Sequence, residues 1–149
     1  MTKKFILAYL LIIIFLNSNS YGENNRYFEF DKGIIALMYH RFDEHKYPST
    51  NIQMDIFKEQ INIIENLDIN YLHPKNLKEE ISKPNKVKKI LLTIDDGFQS
   101  FYDNAWPILK KKNIPFILFI STAYVGKNGY MNWEQIKEIE KSGLGIIGN

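Results

Sequence analysis

The chain has 149 residues, 45% of them apolar and 24% charged, with 19 Lys and Arg against 17 Asp and Glu. That is the balance of one folded domain rather than a disordered or collagen-like chain, and a formal charge of +2 excludes a strongly basic nucleic-acid binder. With no cysteine, disulfide scaffolds, thiolate-ligated zinc, iron–sulfur clusters and thiol nucleophiles are excluded, and any metal must be held by carboxylates and the three histidines.

Met1 to Lys4 carry two lysines, Phe5 to Leu16 form an unbroken apolar run, and small polar residues follow as far as Gly22. This is the order of a secretory signal peptide, with Ser20 and Gly22 as the small residues before a cut. The run is shorter than the ~20 residues of a membrane span, so residues 1–22 read as a leader. An uncleaved anchor is the alternative and would be the chain's only membrane contact. Either way the remainder is exported, to a periplasm or outside the cell. Glu23 to Lys32 reads as a polar lead-in, and residues 33–149 as the folded part.

Gly33 to Tyr39 (GIIALMY) is a short apolar run of the kind that forms a strand buried on both faces. His40 to Gln53 reads as a loop. Met54 to Leu67 places Phe57, Ile61, Ile64 and Leu67 at helical spacing, with Ile56 and Ile63 alongside. A brief strand is expected over Ile69 to Leu72, a short helix over Asn76 to Ile81, and a connection over Lys83 to Lys88. Lys89 to Ile94 is a second buried strand, closed by Asp95-Asp96-Gly97. Ser100 to Lys112 is helical, with Pro107 predicting a kink or a fresh helix start near Trp106. Pro115 to Ile120 is a third strand, and Ser121 to Met131 a glycine-containing loop. Asn132 caps a helix from Trp133 to Lys141, with Gln135 completing a capping box and Gly143 ending it. Leu144 to Ile147 begins another strand. The alternation predicts an α/β domain with a parallel sheet and crossover helices. Ending at Asn149, on a strand with no helix after it, the sequence reads as the N-terminal part of such a domain, truncated before completion.

In parallel βα folds chemistry gathers where strand C-termini meet loops. Two such ends carry polar groups: Tyr39-His40-Arg41 and Asp95-Asp96-Gly97. Adjacent carboxylates after an apolar strand lose hydration and repel each other, and a divalent cation on one of them relieves this while the other serves as a base. Gly97 permits the tight turn that lets two consecutive side chains converge. A plain polar turn closing a strand is the competing account. His40 is either a rim group or a structural histidine. His45 and His73 read as surface groups. Lys110 to Lys112 suits a helix C-terminus. Trp106, Trp133, Tyr102 and Phe98 are candidates for sugar stacking, and equally for the core.

Lys88 to Ser121, KKILLTIDDGFQSFYDNAWPILKKKNIPFILFIS, resembles the first motif region of the NodB-homology polysaccharide deacetylases (carbohydrate esterase family four), with Ile94 at a position that is usually aromatic. ALMYHRF, Ala36 to Phe42, resembles the first strand of the subgroup acting on poly-N-acetylglucosamine-type polymers. MNWEQIKEIEKSGLGIIGN resembles the helix and strand leading into the family's metal-binding histidine motif.

The resemblance implies part of a distorted parallel (β/α) barrel and a metal-dependent N-deacetylase, with zinc the usual metal and an exported or cell-wall amino-sugar polysaccharide as substrate. By the family pattern Asp95 matches the general base and Asp96 the carboxylate metal ligand. His40 is the candidate substrate-binding residue. The family's histidine ligands, its arginine and tryptophan motifs and its distal general-acid histidine have no counterpart in these 149 residues, which implies that the chain alone is inactive and binds zinc poorly. Two other readings stand beside this one. The first is a non-catalytic glycan-binding or degenerate deacetylase-like protein. The second is a glycoside hydrolase, disfavoured because adjacent carboxylates seldom reach the ~5–9 Å separation such enzymes use.

Overall fold

The computed structural model describes residues 33–67, 69–82 and 87–149. The expected leader (1–22), lead-in (23–32) and most of the 83–88 connection lie outside the described residues. In chain order the elements are β1 (Gly33–Tyr39), β2 (Arg41–Phe42), β3 (Asn51–Ile52), α1 (Met54–Asn66), β4 (Asn70–Tyr71), a 3-10 turn (Pro74–Asn76), α2 (Leu77–Ser82), β5 (Lys88–Ile94), a π-helical turn (Phe101–Ala105), α3 (Trp106–Lys112), β6 (Phe116–Phe119), a 3-10 turn (Thr122–Tyr124), α4 (Trp133–Lys141) and β7 (Gly145–Gly148).

The main sheet runs β1-β5-β6-β7, and every pairing in it is parallel. β5 pairs with β1 along its whole length, Gly33 opposite Lys88 through Tyr39 opposite Ile94. Its other edge is shared: Asn70 and Tyr71 of β4 meet Lys89 and Ile90, then β6 takes over at Leu92. This is the α/β architecture with a parallel sheet that the strand–helix alternation predicts. Parallel register brings the C-terminal ends of β1, β5, β6 and β7 to one rim.

β5 is buried as expected, with Ile90, Leu91, Leu92 and Ile94 all in the core. β1 is not buried on both faces. Ala36 is exposed and Met38 is 63% exposed, because β1 lies at the end of the strand order among the described residues. The 40–53 segment is also more ordered than a loop. Arg41 and Phe42 pair in parallel with Asn51 and Ile52, and Glu44 N donates to Asn51 Oδ1 at 2.7 Å.

α1 buries Met54, Phe57, Ile61 and Ile64, while Ile56, Ile63 and Leu67 remain exposed, so its apolar stripe is narrower than the sequence pattern. Gln53 gives α1 no side-chain cap, and Asp43 Oδ1 instead accepts from Met54 N at 2.8 Å. Pro107 does not interrupt the helical backbone, which runs from residue 99 to 112: a π-helical turn over Phe101–Ala105 passes directly into α3 at Trp106, with the proline in the first turn of α3. The α4 capping box forms in full, Asn132 Oδ1 accepting from Gln135 N and Gln135 Oε1 from Asn132 N, both at 2.9 Å. The core is aromatic at its centre. Phe42 meets Phe57 edge-on at 5.1 Å, and Phe101 and Trp106 both pack edge-on against Phe116, at 5.3 and 5.8 Å. No described helix is long and apolar enough to cross a membrane.

Candidate active site

The register that pairs Tyr39 with Ile94 also fixes the residues that follow. Asp95 N donates to Tyr39 O at 2.8 Å, which carries the β1–β5 ladder one step past the strand and sets His40 beside Asp95. His40 Nε2 stands 3.9 Å from Asp95 Oδ2, each side chain about a quarter exposed. The other carboxylate oxygen, Asp95 Oδ1, is buried without a hydrogen-bond partner. Burial is the main cause that raises the Asp95 carboxyl above its ordinary value. His40 acts in the opposite sense, and Asp96 adds to the rise.

Asp96 and Gly97 both take left-handed backbone, φ +69° and +72°. Two such residues in succession turn the chain abruptly off β5, so both carboxylates stay at the rim instead of alternating across the sheet. Asp96 is exposed, and it makes no hydrogen bond or ion pair with the described residues. Asp95 is thus the less solvated acid of the pair and Asp96 the open one, held in a left-handed turn conformation that aspartate tolerates.

Sequence reasoning missed the frame around this pair. Arg41 bonds Glu44 at 2.6 Å, and its guanidinium carbon lies 3.5 Å from the ring centroid of Phe98 and 4.0 Å from that of Tyr47. Ser100 Oγ donates to Glu44 Oε1 at 2.6 Å and accepts from Phe42 N at 3.2 Å. Asn104 Nδ2 donates to Phe42 O at 2.9 Å. The segment after β1 is thus bound to the segment after β5. Arg41, next to His40 at a strand end, was the available signal.

Other candidates divide. Phe98 and Trp106 are buried, Tyr102 donates to Glu138, and Trp133 is 47% exposed. His45 is exposed as expected. His73 is more than a surface group: its Nε2 bonds Gly143 O at 2.9 Å, and its Nδ1 accepts from Lys75 N at 3.2 Å. The second bond assigns the ring proton to Nε2.

Among the described residues no three His, Cys, Asp or Glu side chains converge into a group able to hold a metal ion. Asp96 offers one open carboxylate, fewer than the three protein ligands usual at a catalytic zinc. The described residues fit one ligand of such a site and not the site itself.

Residues 82–149, the span holding β5 and the acid pair, match the family model for polysaccharide deacetylase. Residues 82–149, a little under half of the chain, are thus similar to part of a polysaccharide deacetylase domain. A poly-β-1,6-N-acetyl-D-glucosamine N-deacetylase of Staphylococcus aureus is 27% identical, over 95% of this chain and 59% of its own length. Among solved structures, IcaB from Ammonifex degensii superposes with a TM-score of 0.70 at 33% identity, over 78% of this chain and 52% of its own. The Streptococcus pyogenes deacetylase PplD shares the fold, with a TM-score of 0.67 at 24% identity over 79% of this chain and 55% of its own. The chain spans little more than half the length of these relatives. The acid pair lies inside the span that matches the family model, whereas β1 and His40 precede it.

Proposed function

We propose that the protein hydrolyses N-acetyl groups from an amino-sugar polysaccharide of the poly-N-acetylglucosamine type, with Asp95 as general base and Asp96 as a metal-ligating carboxylate. The observation that carries the reading is the state of Asp95: a rim carboxylate with one oxygen buried and unpartnered, beside an open second acid. Desolvation raises the basicity of Asp95 relative to a solvated aspartate, the direction a general base needs near neutral pH. Hydrolysis of the amide adds water to the acetyl carbonyl while a carboxylate takes the water's proton, and then breaks the C–N bond as a proton is delivered to the leaving sugar amine, giving acetate and a free amine. Asp95 Oδ2, the partly exposed oxygen facing His40, is the atom that takes the water's proton.

A divalent metal, zinc by family resemblance, supplies a more acidic bound water and a polarised carbonyl when present. Asp96 contributes to holding it. Since the described residues bring no group of three ligands together, the 149 residues tested alone are expected to release little acetate. His40 lines the substrate side of the pair and contacts the sugar. Residues 1–22 act as an export leader, 23–32 connect it to the domain, and the substrate is met outside the cytoplasm.

The test is acetate release from β-1,6-linked N-acetylglucosamine oligomers by the protein as its gene encodes it, beside Asp95→Asn and Asp96→Asn. Both variants are expected to lose about 100-fold or more of the rate. Variants as fast as the parent would sink the reading. Oligomer binding without acetate release by the parent would support a glycan-binding protein in its place.

A further inference from the structure

We infer that a row of side chains running out from the acid pair (Tyr47, Arg41, Phe98, Tyr130 and Tyr124) is a glycan-binding subsite, in which the rings of Tyr47 and Tyr124 stack on N-acetylated pyranose units flanking the one at Asp95. This rests on the deacetylase reading for its choice of sugar.

The row begins with Arg41 between Tyr47 and Phe98, as described above. Phe98 lies 4.9 Å from the Tyr130 ring, and Tyr130 lies 4.9 Å from Tyr124 at an interplanar angle of 24°. Its centre is buried, with Phe98 only 5% exposed, and its two ends are open, with Tyr47 39% and Tyr124 46% exposed. A row that served the core alone would bury its ends. Large exposed rings on a buried, cation-pinned centre are the composition of a contact surface.

The row is fixed to the acid pair by backbone. Phe98 bridges Tyr130 in antiparallel fashion, Met131 N donates to Gly97 O at 3.0 Å, and Gln99 N donates to Gly129 O at 2.9 Å. Tyr130 therefore stands next to the turn that carries Asp96, close enough for the charges of Asp96 and Arg41 both to act on its phenol. The 124–131 loop is held at its base as well, by Gly126 N to Met131 O and Lys127 N to Tyr124 O, each 2.9 Å. A platform rigid before binding loses little entropy when a sugar settles on it.

The ligand that fits has an apolar C–H face to lie on a ring and polar edges to meet donors beside it. Lys46 and Lys127 flank the two open rings, with their ammonium groups 5.4 Å from the Tyr47 centroid and 4.9 Å from the Tyr124 centroid. Both lysines are exposed, and their ammonium groups are donors for acetamide carbonyls and hydroxyls at the edges of a sugar on those rings.

The experiment is calorimetric titration of a β-1,6-linked N-acetylglucosamine hexamer into the encoded protein carrying Asp95→Asn, so that turnover during the titration is small. The titration is then repeated with Tyr47→Ala, Tyr124→Ala or Tyr124→Phe added, and near-ultraviolet circular dichroism checks the fold. Each alanine is expected to weaken hexamer binding about 3- to 10-fold, and Tyr124→Phe to leave it within about twofold, since stacking needs the ring and not the hydroxyl. Alanine variants that bind as tightly as the Asp95→Asn protein would overturn the inference, as would a phenylalanine variant as weak as the alanine, or no hexamer binding at all. Acetate release by the parent is read separately. Turnover that depends on Asp95, together with tyrosine variants that bind unchanged, would leave the deacetylase reading standing and remove this one.

Discussion

His40 Nε2 and Asp95 Oδ2 face each other at 3.9 Å across the β1–β5 ladder, too far for a hydrogen bond and near enough for charge to matter. The imidazole does not fully offset the burial of Asp95, whose carboxyl still ends above its ordinary value. The sign follows from proton binding. A carboxyl raised in the folded state is a cost to stability once ionised, and the cost fades as pH falls through its folded value and is gone below the ordinary 3.8. Asp95→Asn, the variant expected to lose acetate release, should therefore melt at or above the parent temperature at pH 7 in chelator-containing buffer. The difference should close in acid. A variant less stable than the parent at neutral pH would show that the ionised carboxylate is well solvated or paired.

The Asp96–Gly97 turn separates shape from chemistry. Asparagine tolerates left-handed backbone at least as well as aspartate, so Asp96→Asn should keep the parent's melting temperature while losing activity. Gly97→Ala acts on the backbone itself. Its φ of +72° costs an L-residue about 1–2 kcal/mol, and the new Cβ would sit 3.4 Å from Ile120 Cγ2. The expected loss is about 2–8 °C in melting temperature for a chain this size. A Gly97→Ala variant with unchanged melting would mean that the turn relaxes freely.

Gly145 shows how closely α4 lies on the sheet. A Cβ there would fall inside the contact distance of Ile139 Cγ2 on α4 and 3.2 Å from Phe116 Cζ on β6. Both neighbours are fully buried, so neither moves cheaply. Gly145→Ala should destabilise by about 1–3 kcal/mol in denaturant titration. Added to Ile139→Ala, which removes the clashing methyl, it should cost measurably less than it does alone. Strict additivity would place the strain elsewhere.

Much of this was legible in the sequence because the signals were local. The apolar run closed by Asp95-Asp96-Gly97 and the Asn132–Gln135 box each fix an element through a short-range rule, and each element forms where the rule puts it. Long-range facts were hidden. Met38 reads as core by composition, and its exposure follows from the place of β1 in the strand order, which no window of sequence contains. Asp43 caps a helix that starts eleven residues later, and Ser100 bonds Glu44 across 56 residues. The acid pair was found from its strand-end position. The Arg41 frame and the Tyr130 contact were not, because they depend on how two loops meet over the rim.

Glu138 offers a pH test that does not touch the site. It accepts from Tyr102 OH at 2.6 Å, Lys110 Nζ at 3.0 Å and Trp106 Nε1 at 3.4 Å, and so ties α4 to the Phe101–Lys112 segment. These bonds, that of Tyr102 foremost, lower its carboxyl to about 2 from an ordinary 4.5. The folded state thus binds the proton less readily than the unfolded chain. The stabilisation is complete above pH 4.5 and is lost as pH falls toward about 2. Lys110 and Glu138 are both roughly half exposed, so solvent screening holds the contribution to about 1 kcal/mol or less. Glu138→Gln should lower the melting temperature by a few degrees at pH 7, and the gap to the parent should narrow between pH 4.5 and pH 2. Added salt should remove the Lys110 share and leave that of the neutral donors, Tyr102 and Trp106. A gap of constant size across that pH range would show that Glu138 acts through packing rather than charge.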